Sequence, residues 1–371
     1  MNLLGCFEMR RVAVWLCGML LLLALAAASA AFFSAEDQPW RGEGLLTVHY
    51  LDVGQSDCAL VEVGGEYTLM IDTADEAHAD DVCRYVGDLG YDRIDVLVLT
   101  HPHSDHIGGA ERIFGEFDVG CVYMTEGDAS GEDADYLSML LAAVREQGTP
   151  SLTAGEGVSF ELGALTGVFL SPTEVRFDDE NEMSAVLSLR YGERRFLFSG
   201  DIGEDAERML VQRGADLSAS VVTAGHHGSG GSSSREFART VGAEYVIISC
   251  GAGNDYGHPS PYTVDRWESE GARAFRTDRD SDVIAYTDGE SLTVLPRSAY
   301  NSSDGTSVSE ADSASDTAEE FEYLLNTSSH RIHHADCSLA DEDSENVIGA
   351  CSADIDRLMA EGYRKCSSCF E

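Results

Sequence analysis

Between about residues 45 and 295, short apolar runs alternate with amphipathic ones. LLTVHYLDV, CALVEV and EYTLMID are short, rich in β-branched and aromatic residues, and read as strands. ADDVCRYVGDLG has helical spacing and stops at a glycine. IDVLVLT is apolar throughout, as a strand covered on both faces would be. DYLSMLLAAVREQG predicts a helix with Leu137, Leu140, Leu141 and Val144 on one face. GVSFEL, LTGVFL, AVLSLRY and RRFLFSGD follow as strands, EDAERMLVQRG as a helix and SASVVTAG as a strand.

Two stretches break the alternation. Residues 12–33, VAVWLCGMLLLLALAAASAAFF, carry no charge and follow Arg10 and Arg11. Small residues end the run and offer A-x-A-like cleavage sites near Ala30. Its length suits either a signal peptide or a membrane anchor. Arginines before it and Glu36 and Asp37 after it put the body of the protein outside the cell or on the outer face of the membrane. Residues 297–320 are rich in Ser, Asp and Glu with almost no apolar content, the composition of a flexible linker. The expected organisation is an export segment over 1–33, a main domain over 45–295, a linker over 296–320 and a small module over 321–371.

The main domain repeats itself weakly. GGEYTLMIDT ends a strand at Asp72, and GERRFLFSGD ends one at Asp201. A helix follows each, and then an apolar strand that closes on histidines, VLVLTHPHSDH in one case and SVVTAGHHGS in the other. Two related β-rich halves would thus each deliver an aspartate and a histidine cluster to the open ends of strands, where sites are commonly built.

Histidine and carboxylate together are ligands for zinc, manganese or iron. His101, His103, Asp105 and His106 are too crowded to converge easily on one ion, and serve two neighbouring ions better. His101 and His103 would hold the first ion, Asp105 and His106 the second. Asp201 from the other half would bridge them, and His226 or His227 would complete the second. A water shared by two such ions ionises near neutral pH and becomes a nucleophile. The formal net charge of −42 fits a site whose positive charge is metal, and makes tight binding of duplex DNA unexpected. Lys365 is the sole lysine.

LDVGQSDCALVE, MIDT, LTHPHSDHIGG, FLFSGDIG, AGHHGS and YGHPSP, in this order over about residues 46–295, resemble the metallo-β-lactamase-fold hydrolases, and within them the hydrolase domain of the ComEC family of competence proteins. The resemblance implies a mixed α/β fold, a four-layer αββα sandwich with a dinuclear site that hydrolyses a phosphodiester or another ester. It implies Asp72 as the residue that orients the ligand histidines, and His101, His103, Asp105, His106 and Asp201 as ligands. His227 matches the last ligand position better than His226, which lies beside it. Many members of the superfamily place a further histidine between the H-x-H-x-D-H turn and the bridging aspartate. Here no histidine occurs from 107 to 225, and Asn181 and Ser184 are the polar residues nearest that position. His258, in YGHPSP, is a candidate to bind a substrate phosphate or act as an acid. With Asp105 and Asp201 it forms the expected reacting set. Ser229 and Ser232–Ser234 read as caps of the helix in SREFARTVG.

The tail combines HRIHHADC with GYRKCSSCFE. His333, Cys337, Cys366 and Cys369 have the types and spacing of a tetrahedral structural zinc site. The segment is similar to small Ada-type metal-binding modules, although Ile332 and Lys365 depart from that pattern and Cys351 is an extra thiol. A disulfide is the alternative in an oxidising compartment. About fifty residues bury little core, so either staple is expected.

The expected protein is an exported hydrolase with two divalent ions, Zn or Mn, acting on phosphodiesters in a small-molecule or single-stranded nucleic-acid substrate. Lactones, thioesters or choline-phosphate esters are the alternative substrates. A surface binding protein without catalysis is the alternative class.

Overall fold

A computed structural model describes residues 38–298 except residue 128, together with the backbone of four strands nearer the C-terminus. The export segment expected over residues 1–33 lies outside the described residues. Among the described residues, no helix is long and apolar enough to cross a membrane.

Two sheets form the centre of the main unit. The first has eight strands, built from β1 (Leu46–Tyr50), β2 (Ala59–Val63), β3 (Tyr67–Ile71), β4 (Arg93–Leu99), β5 (Asp118–Met124), β6 (Ser151–Thr153), β14 (Val283–Thr287) and β15 (Leu292–Pro296). Their order is β15-β14-β1-β2-β3-β4-β5-β6. The second has seven strands, β7 (Ser159–Leu162), β8 (Leu165–Ser171), β9 (Val186–Tyr191), β10 (Arg194–Phe198), β11 (Val221–Thr223), β12 (Tyr245–Ile248) and β13 (Arg273–Arg276), in the order β13-β12-β11-β10-β9-β8-β7.

The inner faces meet in an apolar core that includes Tyr50, Val61, Phe169, Leu187, Phe196 and Phe198. Tyr50 from the first sheet stacks on Phe198 from the second, with ring centroids 5.9 Å apart. Helices α1 (Ala79–Asp88), α3 (Ala110–Glu116) and α4 (Gly131–Gln147) bury their apolar stripes on the outer face of the first sheet. Helices α5 (Glu204–Arg213), α6 (Arg235–Val241) and α7 (Pro261–Ser269) do the same on the second, around Phe237 and Trp267. Short helices α2 (Ser104–Ile107) and α8 (Thr277–Asp280) sit in connections. The result is the αββα sandwich expected from the sequence.

On α4 the expected stripe is narrower than read. Leu140 and Val144 are buried and Leu137 packs against them, but Leu141 is 37% exposed. It follows Leu140 by one residue, about 100° around the helix, which carries it off the stripe.

The internal repeat becomes a repeated supersecondary unit. β3 pairs in parallel with β4, and β10 in parallel with β11, with α1 and α5 as the respective crossovers. Both units end at the same kind of place, the carboxyl ends of parallel strands, where loops are free to carry chemistry.

The H-x-H-x-D-H turn is laced to the loop after β3. The Thr73 N–H donates to the His106 carbonyl at 2.7 Å, and the Gly109 N–H to Ala74 at 3.0 Å. This approach explains the glycine pair that follows His106: a Cβ on Gly109 would stand 2.2 Å from the Thr73 carbonyl oxygen.

The chain separates into two compact units, Met1–Ser302 and Ser303–Glu371. In the second, β16 (Tyr323–Asn326), β17 (Arg331–His334), β18 (Val347–Ala350) and β19 (Arg364–Lys365) pair in the order β18-β16-β17-β19. His333 lies on β17 in register with Leu324. Cys337, Cys351, Cys366 and Cys369 fall outside the described residues.

Replacing Gly109 by alanine should destabilise the main unit by roughly 1–3 kcal/mol, the usual cost of forcing atoms into a filled site. Denaturant titration of the two proteins measures it, and an unchanged midpoint would contradict the close approach.

Candidate metal centre

Asp72 follows β3 in a left-handed backbone conformation, φ 56°, which is strained for a residue with a Cβ and is found where a side chain must be aimed. Its carboxylate is buried and accepts three hydrogen bonds, each at 2.8 Å, from the Thr100 N–H, the Thr100 hydroxyl and His106 Nδ1. Burial raises the Asp72 pKa, and the neighbouring His106 opposes that rise. With Nδ1 committed to Asp72, His106 presents Nε2 to the second sheet.

Asp201 is delivered from there. After β10, Gly200 turns the chain through φ 52°, and a Cβ on it would stand 2.9 Å from the Ser184 Cβ. The Asp201 N–H donates to Ser184 Oγ at 3.1 Å. Asp201 Oδ1 and His106 Nε2 are 3.3 Å apart, both buried, and neither has a hydrogen-bond partner.

His227 approaches from the turn after β11. His226 and His227 both have left-handed backbones, φ 50° and 53°. His227 Nδ1 donates to the Ser249 carbonyl at 3.2 Å, which turns Nε2 to within 3.1 Å of Asp105 Oδ2 and 3.6 Å of Asp201 Oδ2. One ligand atom each from Asp105, His106, Asp201 and His227 thus lie within 4.8 Å of one another. His226 stays outside this group. Its side chain is 36% exposed and its Nε2 is 3.8 Å from Asp201 Oδ2.

His101 and His103 form a neighbouring pair. His101 Nε2 and His103 Nδ1 face each other at 2.9 Å, and the His101 ring centroid is 4.1 Å from that of His106. His103 Nε2 is 3.4 Å from Glu180 Oε2. Asn181, on a short 3-10 turn over Asn181–Met183, has a buried Oδ1 without a partner. His258 is half-buried beside the group, with its ring centroid 5.6 Å from that of His226.

The charges in this cluster shift one another. Burial alone would push His106 and His227 down, but Asp201, with Asp105 at both and Asp72 or Asp57 beside one or the other, holds both well above the ordinary histidine value. Burial would raise Asp201, but His106 and His227 hold it well below the ordinary aspartate value. Burial and the nearby histidines push His258 down to about 4. A buried histidine nitrogen and carboxylate oxygen without hydrogen bonds, flanked by further imidazoles and carboxylates, suit a divalent cation. The cleft in front of them, about 460 Å³, is lined by Asp75, Asp105, Asp133 and Asp201 but by no lysine or arginine among the described residues.

Several contributors have no motif of their own. Asp133 on α4 accepts from the Ser104 N–H at 2.7 Å and anchors the start of α2. Glu182 accepts from the N–H groups of Gly203 and Ala206, at 3.1 and 2.8 Å, and caps α5 just after Asp201. Glu207, buried and pushed up to about 7, accepts from the N–H groups of Ser233 and Ser234. Ser234 in turn caps α6 through the Phe237 N–H. Asp57, Oδ1 3.6 Å from His227 Nδ1, and Gln55 both lie in the LDVGQSD stretch, so the position was visible although the roles were not.

Chelator-treated protein should lose stability as pH rises above about 6.5, the ordinary histidine value, because His106 and His227 are held above it. A raised histidine contributes stability that is complete below its unfolded value and lost as pH rises through the folded one. Thermal melts from about pH 3 to 9 test this, and a melting temperature that does not fall on the alkaline side would contradict the proton-linked ion pairs.

Comparison with known proteins places this geometry in context. A family model described as the metallo-beta-lactamase superfamily matches residues 51–252. Competence protein ComA of Neisseria gonorrhoeae is 32% identical over 229 residues, 61% of this chain and 30% of that protein. ComE operon protein 3 of Bacillus subtilis (strain 168) is 30% identical over 194 residues, 52% of this chain and 25% of that protein. The chain therefore spans about a third or less of the length of these relatives. Among solved structures, the metallo-beta-lactamase fold protein YhfI from Bacillus subtilis is 13% identical with a TM-score of 0.43, covering 66% of this chain and 99% of that one. With the domain matched over more than half its length, and with relatives of the ComEC type, this chain belongs to the metallo-beta-lactamase superfamily.

Proposed function

We propose that the protein is an exported, metal-dependent phosphodiesterase. The observation that carries the metal dependence is the buried, apposed pair of His106 Nε2 and Asp201 Oδ1, which no hydrogen bond satisfies. His106, Asp105, Asp201 and His227 would hold one divalent ion, and His101 and His103, with Asp201 shared, the other. Two such ions, zinc or manganese, would supply an acidified water and positive charge opposite a developing oxyanion.

The chain's own residues define the rest. Asp72 holds the proton of His106 at Nδ1 and keeps Nε2 aimed across the cleft. Ser249 does the same for His227 through its carbonyl. Ser184 fixes the backbone of Asp201, and Asn181 adds a polar group to the rim. His258 lines the cleft and is suited to hydrogen-bond a phosphoryl oxygen.

A cleft of carboxylates and imidazoles favours an anionic substrate once cations neutralise it, and offers Tyr256 as its one large apolar surface. An acyl ester or thioester with a long chain would want a more apolar wall. The likeness to competence protein ComA supports a phosphodiester of nucleic-acid type. The net charge of −42 favours short or single-stranded substrates over long duplexes. The apolar run over residues 12–33 supports action outside the cell, free or tethered. For the C-terminal unit the proposal is a structural zinc on His333, Cys337, Cys366 and Cys369.

With Mn²⁺ or Zn²⁺, the protein should hydrolyse bis-p-nitrophenyl phosphate and short single-stranded DNA. Asp201→Ala should lower the rate by at least roughly 10²-fold, the lower end of what losing one preorganised electrostatic group costs. It should also lower bound metal while the circular dichroism spectrum persists. Near-normal rates would unseat Asp201, and a protein holding two ions that turns over no phosphodiester would unseat the reaction.

A further inference from the structure

Gln55 lies in the connection between β1 and β2, in the first sheet's half, yet its side chain reaches the loop that carries His258. Its Oε1 accepts the Gly251 N–H at 3.1 Å, and its Nε2 approaches His258 Nδ1 at 3.4 Å. The first contact settles which way the amide faces, because a backbone N–H needs an acceptor and only the amide oxygen is one. The NH₂ group is therefore the end directed at His258. An amide NH₂ can only donate, so the ring nitrogen it meets must be bare. In a neutral imidazole the single ring proton then resides on Nε2.

The loop around His258 is built to hold the ring still. Asn254 Oδ1 accepts the N–H groups of Tyr256 and His258, at 3.1 and 3.0 Å, and Asn254 Nδ2 donates to the carbonyls of Gly251 and His258, the former at 2.8 Å and the latter at 2.5 Å. The Tyr256 ring lies along one face of the imidazole, with centroids 5.7 Å apart and planes inclined by 27°. His258 Nε2 has no hydrogen-bond partner among the described residues, and the side chain lines the same cleft as Asp105 and Asp201.

We infer that Gln55 is a positioning residue that locks His258 in the Nε2–H tautomer, making it a neutral hydrogen-bond donor for a phosphoryl oxygen in the cleft. A neutral donor is the form compatible with this location. A protonated ring would set a full positive charge in the same cleft as the cations expected on Asp105 and Asp201, whereas an N–H dipole can bind the oxygen without that repulsion. The inference deepens the phosphodiesterase reading and rests on it for the identity of the acceptor; the tautomer itself does not depend on it.

Histidine ring ¹⁵N–¹H correlation spectra of the full chain loaded with Zn²⁺, assigned with His258→Ala, read the tautomer directly. The expected result is a protonated Nε2 and a bare Nδ1 on His258. Gln55→Glu keeps an acceptor for Gly251 but can only accept from the ring, so the proton should move to Nδ1. The same change should lower kcat/KM on bis-p-nitrophenyl phosphate by about 10–10²-fold with metal content unchanged, while Gln55→Glu in a His258→Ala background should cost nothing further. Gln55→Met, which neither donates nor accepts, should leave a mixture of tautomers and an intermediate rate, and it replaces the first variant should that one not fold. An Nδ1–H tautomer in the unaltered protein, an unmoved proton in Gln55→Glu, or costs that multiply in the double variant would overturn the inference. If the protein hydrolyses no phosphodiester, the spectra still decide the tautomer, so the two failures are distinguishable.

Discussion

The arrangement depends on one buried carboxylate. Asp72 sits in a strained, left-handed backbone and receives two donors from Thr100 and one from His106. Removing a carboxylate from water is costly, and three hydrogen bonds at 2.8 Å offset that cost only while the H-x-H-x-D-H turn stays in place. The turn and the carboxylate therefore specify each other. Because Asp72 takes the Nδ1 side of His106, the other nitrogen is forced to face Asp201, and the first sheet's chemistry is aimed at the second.

The second sheet answers with the same construction. A parallel pair, a crossover helix and a tight turn bring Asp201 and His227 to its carboxyl edge, as β3, α1 and β4 bring Asp72 and His101 to theirs. Glutamates replace part of the scaffolding there: Glu182 caps α5 and Glu207 ties down the segment that follows the histidines. Both halves thus use carboxylates in two capacities, some turned inward to hold backbone N–H groups and others left open to the cleft. The local negative charge is a product of that division as much as of the overall composition.

Much of this could be read from the sequence. The strands, the four-layer arrangement and the twofold Asp-then-His pattern follow from periodicity and motif, because each is written in short stretches of side chains, and the grouping of Asp105, His106, Asp201 and His227 was expected from those motifs and the resemblance they carry. The stripe on α4 was overdrawn at Leu141, since a string of leucines does not say which of two adjacent ones faces inward. The pairs Asp133–Ser104, Glu182–Gly203 and Glu207–Ser234 were not legible. They join a side chain to a backbone N–H more than twenty residues away, and a backbone group has no letter in the sequence. Gln55 and Gly251 are 196 residues apart and belong to the same category. Whether His226 or His227 enters the cluster was open in the sequence as well; the turn geometry and the Ser249 carbonyl separate them.

The donor set is divided between the halves: His101, His103, Asp105 and His106 follow β4, whereas Asp201 and His227 follow β10 and β11. An ion held by both groups is a rivet through the seam of the sandwich. Anything that binds only the folded chain adds to its stability, about 2.7 kcal/mol at a hundred times its dissociation constant. Because the surroundings set the free concentration of such ions, the tightness with which the two sheets are clamped would become a property of the medium as well as of the polypeptide.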